Sequence, residues 1–161
     1  MNDRALVGCA LSLVVLSACS TYNRVRSGEV TAAEVGESGR WSAALSPPPT
    51  LSGSLSITGW AAMVGDSSGL STLVTLSLAD APPGSVERWS VNRGQCGADD
   101  GVFGAAGAYQ AIRIDAAGRA RATARVTLRM PTTGRYFVSV RGPVANGETT
   151  VACGNLTAPV K

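Results

Sequence analysis

Cys9, Cys19, Cys96 and Cys153 carry the most reactive side chains of this 161-residue protein, and no histidine accompanies them anywhere in the chain. That absence decides much of the chemistry. Imidazole is the usual general base near neutral pH and the commonest metal ligand, so a serine or thiol nucleophile has no ordinary activator here. A copper centre lacks its preferred nitrogen donors for the same reason. The carboxylates Asp99, Asp100 and Asp115 can hold a hard cation through oxygen. However, Asp115-Ala116-Ala117-Gly118 is a turn pattern, and Asp99-Asp100 beside Gly101 reads as a solvated loop tip. The residue types therefore predict no catalytic group, no metal and no cofactor.

The cations are almost all arginines, with Lys161 the single lysine, and the net charge is only +3. That balance is too mild to mark a nucleic-acid binder. Arg121, Arg125 and Arg129 alternate with Ala122, Ala124, Val126, Leu128 and Met130. On a strand this spacing places the arginines on one wet face, a candidate site for an anionic envelope polymer or lipid headgroup. The same alternation also describes a plain solvated strand face.

Both uses of those residues depend on the elements that position them, beginning at the amino terminus. Ala5 to Leu16 is an apolar run with the length of a signal-peptide core, too short to cross a bilayer. It ends in Leu16-Ser17-Ala18-Cys19, which resembles the lipobox of bacterial lipoproteins. The resemblance implies cleavage before Cys19, acylation of that cysteine, and residence at the outer membrane, since Ser20 and not Asp follows it. The plainer alternative is an ordinary secretory signal with Cys19 incidental. Cys9 leaves with the signal on either reading. Residues 19–38 mix Arg24, Arg26, Glu29, Glu34 and Glu37 with small polar residues and read as a tether.

From residue 39 to 161 the pattern changes to period two, the mark of strands. Trp41 to Leu45, Leu55 to Val64, Leu70 to Leu78, Val86 to Asn92, Tyr109 to Ile114, Arg121 to Met130, Tyr136 to Val140 and Val151 to Leu156 are the predicted strands. Pro47-Pro48-Pro49, Asp66-Ser67-Ser68-Gly69, Pro82-Pro83-Gly84 and Asn146-Gly147 punctuate them. Residues 93–107 read as the longest irregular loop. About eight strands with no helical pattern between them predict an all-β, antiparallel Greek-key sandwich or barrel. With Cys9 removed and Cys19 acylated, Cys96 and Cys153 remain to pair across it in an oxidising compartment.

Trp89-x-Val91-x-x-Gly94-x-Cys96, Tyr136-Phe137-Val138-Ser139-Val140-Arg141 and Ala152-Cys153-Gly154 resemble the copper-zinc superoxide dismutase family. The resemblance implies that Cys96 and Cys153 match that family's intrasubunit disulfide. It also implies that Ser90 and Asn92 stand where a His-x-His pair supplies copper ligands, with Arg141 at the place of another. Thr150 takes the place of the family's active-site arginine. The scaffold is retained and the ligands are replaced.

These observations predict a non-catalytic envelope lipoprotein, anchored at Cys19, whose degenerate dismutase-like domain is a binding or structural module. The alternative from another class is a metal-handling or redox enzyme with an unconventional site in the 93–107 loop.

Overall fold

A computed structural model describes residues 39–144 and 147–159. Cys19, the predicted signal segment, the predicted tether and part of the predicted Asn146-Gly147 turn lie outside the described residues. Among the described residues the fold is all-β, with two antiparallel sheets and nine strands. These are β1 (Trp41–Leu45), β2 (Thr58–Gly65), β3 (Thr72–Ala79), β4 (Val86–Gln95), β5 (Ala98–Val102), β6 (Ile112–Arg113), β7 (Ala120–Val126), β8 (Tyr136–Val144) and β9 (Gly147–Leu156). The first sheet runs β1-β2-β3-β7 and the second β5-β4-β8-β9, with β6 paired to β4. The non-consecutive neighbours β3–β7 and β4–β8 are Greek-key crossovers.

Alternation in the sequence becomes the two sides of each sheet. Val74, Leu76 and Leu78 of β3, Trp89 and Val91 of β4, and Val138 and Val140 of β8 are buried in one core. Aromatic residues are few, but they meet edge to face. Tyr136 lies 5.5 Å from both Trp41 and Phe103, and Trp89 lies 5.2 Å from Tyr109. The sheets are stitched along one side, where Ser42 pairs with Thr157 and Ser46 with Cys153. At that seam Gly154 faces β1 so closely that a β-carbon would run into the Ala44 carbonyl.

Three expectations require correction. The 93–107 stretch is not one irregular loop, because Ala98–Val102 turns back as β5 against β4, with Asn92 opposite Val102 and Gly94 opposite Asp99. Asp and Gly have poor strand propensity, so only main-chain pairing to an existing strand makes this segment extended. Gly94, Gly97 and Gly101 all have positive φ, which permits the tight hairpin. The predicted strand from Tyr109 to Ile114 shrinks to Ile112–Arg113. Tyr109 instead inserts its ring against Trp89 and donates its hydroxyl to the Phe103 carbonyl at 2.8 Å. The strand predicted to reach Met130 stops at Val126, opposite Thr72, because β3 begins there and offers no partner further on.

Candidate binding cleft

The face of the second sheet turned away from the core carries the polar positions singled out in the sequence. On β4, Trp89 and Val91 point inward, so Ser90 and Asn92 point outward. On β8, Val138 and Val140 point inward, so Phe137, Ser139 and Arg141 point outward. Antiparallel register sets Ser90 opposite Ser139, Asn92 opposite Phe137 and Arg88 opposite Arg141. Ser90, Asn92 and Arg141 are thereby brought to one surface, although 49 positions separate Asn92 from Arg141.

A short polar chain joins three of these groups. The Ser90 hydroxyl donates to Asn92 Oδ1 at 3.0 Å, and Asn92 Nδ2 donates to the Ser139 hydroxyl at 2.9 Å. Asn92 is only 2% exposed and Ser139 only 3%, so both amide functions have to be satisfied within the protein, as they are. Arg141 behaves differently. It is exposed and makes no hydrogen bond or ion pair within the described residues. Its cross-strand neighbour Arg88 would repel it, but Arg88 Nε reaches Glu148 Oε1 at 3.4 Å.

Two adjoining depressions open over this surface. One, of about 700 Å³, lies beside β9 and is bounded by Pro47, Pro49, Thr150 and the two half-cystines. The other, of about 300 Å³, lies over β4 beside Ser90 and Asn92. Asp99, Ser139 and Arg141 line both, so the two depressions adjoin along these residues, Arg141 among them. The disulfide Cys96–Cys153, with Cα atoms 6.0 Å apart, forms part of the wall of the larger one. Ser139 escaped the sequence reading, yet its signal was present. It sits two positions from Arg141 on the same strand and therefore shares its face.

The other candidates are placed as follows. Asp115 accepts from the Ala117 and Arg119 amides at 2.8 Å each and organises its own turn. Asp99 accepts from the Gly101 amide. No group of three His, Cys, Asp or Glu side chains is arranged to hold a metal ion among the described residues. Arg121 and Arg125 are exposed on β7, whereas Arg129 lies beyond its end. Arg125 is already engaged, donating to Asp66 Oδ2 at 2.8 Å and to the Ser71 hydroxyl at 3.0 Å. The three therefore do not form one row of unengaged cations.

Asp66 is the centre of that small network in the β2–β3 turn. The Ser71 hydroxyl first, and then the Ser68 hydroxyl, hold its carboxyl well below the ordinary value of 3.8. The folded protein thus binds this proton more weakly than the unfolded chain does. The stabilisation is complete above a pH of about 4 and is lost as pH falls further. Asp66→Asn is expected to unfold at lower denaturant concentration than the parent at pH 7. The gap should close progressively in urea titrations repeated down to pH 2, and a gap constant with pH would contradict this. Tyr109 shows the opposite displacement, its burial pushing the phenol up.

In chemical terms the cleft offers the Arg141 guanidinium, hydroxyls, a buried amide, and the carboxylates of Asp99 and of Glu148, the latter paired with Arg88. Such a surface can hold a polar or anionic group by hydrogen bonds. No family model matches the chain, and no curated protein matches it in sequence.

Proposed function

We propose that this protein is a non-catalytic envelope lipoprotein whose degenerate superoxide dismutase-like domain binds a polar or anionic envelope component in the cleft around Arg141. One observation carries the reading. Ser90, Asn92 and Arg141, the positions at which the resemblance would place copper ligands, line a single cleft, where Arg141 and the Ser90 hydroxyl are presented and the buried Asn92 holds Ser90 and Ser139 in place. The sandwich architecture and the Cys96–Cys153 bridge accord with the same resemblance. Dismutases of that family share the sandwich with many unrelated domains, so the replaced ligands carry more of the argument than the fold does. Export fits the disulfide, which persists in oxidising compartments.

Arg141 is the unengaged cation where the two depressions adjoin, so its removal is the direct test. Binding of the purified chain to washed envelope fractions is expected to weaken about tenfold in Arg141→Ala, the loss of one charge-assisted hydrogen-bonding group. The substitution is on an exposed side chain and should leave the unfolding transition in place. Equal binding by parent and variant would remove the cleft from the account.

A further inference from the structure

The strand register gathers several features at one end of the sandwich. β1 starts at Trp41 opposite Met63, β2 finishes at Gly65 opposite Thr72, and Thr72 stands opposite Val126. The entry of the domain, the 66–71 turn and the segment following β7 therefore share this end. Leu70 is 59% exposed there and Leu128 is 44% exposed. The Thr72 hydroxyl donates to the Leu128 carbonyl at 2.8 Å, fixing that residue beside the start of β3. Trp60 and Val86 are the other large exposed apolar side chains of the described residues. Trp60 is covered on one face by Arg40, 5.7 Å from its ring, and Val86 belongs to the opposite end.

We propose that the end carrying Leu70 and Leu128 rests on the lipid bilayer, an inference that builds on acylation at Cys19. The position of the chain's entry selects lipid as the occupant. Residues before 39 join the domain at this end, and about twenty residues from Cys19 span at most roughly 70 Å. The leash meets the domain at this end and not at the opposite one, so an anchor at Cys19 pulls on the end that carries the two leucines. Two leucines raised above the surface enter the boundary between headgroups and acyl chains, as the apolar side chains of interfacial segments do. Arg129 and Arg135 are both exposed in the same 127–135 connection and suit anionic headgroups, although Arg135 also donates to Gln95 Oε1 at 3.3 Å. Asp66, the carboxylate of the neighbouring turn, is paired with Arg125 and does not oppose this approach.

Full-length acylated protein in vesicles of phosphatidylethanolamine and phosphatidylglycerol tests the proposal. Spin labels are placed at Leu70→Cys and, at the opposite end, at Ala117→Cys, with the native disulfide kept oxidised. The label at 70 is expected to collide severalfold less with a water-soluble nickel chelate than the label at 117, and more with oxygen. Adding Leu128→Ser to the Leu70→Cys protein should raise nickel access at position 70. Protein that floats with the vesicles but gives equal nickel access at 70 and 117 overturns the docking while leaving the anchor intact. Protein whose amino-terminal peptide has no acyl mass overturns both.

Discussion

Replacing Cys96 and Cys153 together by serine is expected to lower the unfolding free energy by about 4 kcal/mol, the chain-entropy value for a bridge of this span. The two half-cystines are 57 positions apart. Cys96 sits in the turn between β4 and β5 and Cys153 on β9, so the bridge crosses β8 and ties the short outer hairpin to the far strand. The Cys96 amide also donates to Asn155 Oδ1 at 2.8 Å, which gives the reduced protein one residual tether. Domains of this size hold about 5–15 kcal/mol in total, so the loss is a large part of the whole. Thermal unfolding should move down by roughly 15 °C. Amide exchange should rise first in Ala98–Val102, whose side chains contribute little burial. A double variant within about 1 kcal/mol of the parent would mean that packing alone holds this edge, contrary to the chain-entropy expectation.

Gly154→Ala is expected to be nearly as damaging through a different cause. The new methyl group would run into the Ala44 carbonyl, with the Ala44 carbonyl carbon at 2.9 Å and the Ala43 β-carbon at 3.3 Å. Those atoms belong to β1, which is held to β9 by main-chain bonds at Ser42–Thr157 and Ser46–Cys153. A flexible side chain could swing away, but a hydrogen-bonded strand cannot do so without breaking the seam. The cost should reach the upper end of the usual overpacking range, about 3 kcal/mol. Gly53→Ala, where no atom lies within 4 Å of the added carbon, is the control and should change little. Equal unfolding midpoints for the two variants would mean that the two sheets are not joined along β1 and β9.

The parts of this fold that could be read in the sequence are those where side chains determine the backbone. Val74, Leu76 and Leu78 alternate with half-buried residues, and the same period in Trp89, Val91, Val138 and Val140 located both central strands. The segments that could not be read are governed by main-chain pairing or by distant partners. Ala98–Val102 has the composition of a loop and becomes a strand only through its ladder with β4. Thr127 to Met130 keeps a strand's alternation but lies beyond Thr72, the first residue of β3, and so has no partner there, and Leu128 is left exposed. The cleft divides in the same way. The face shared by Ser90 and Asn92 follows from period two alone, whereas Ser139 enters through the register of β4 with β8. The engagement of Arg125 could not be read either, because Asp66, 59 positions away, is placed beside it only by the fold.

The central claim is that the cleft around Ser90, Asn92 and Arg141 binds through hydrogen bonds and carries no metal chemistry. The most direct measurement is metal analysis of the purified oxidised chain after loading with copper and zinc and dialysis against a chelator, with superoxide dismutation assayed on the same sample. The side chains present offer hydroxyls, an amide, a permanent cation and two carboxylates not grouped with a third ligand among the described residues, a set that lacks the imidazoles copper prefers. The account predicts no retained metal and a dismutation rate equal to that of buffer. One equivalent of copper or zinc held through the dialysis, lost in Asn92→Ala and accompanied by dismutation, would contradict it.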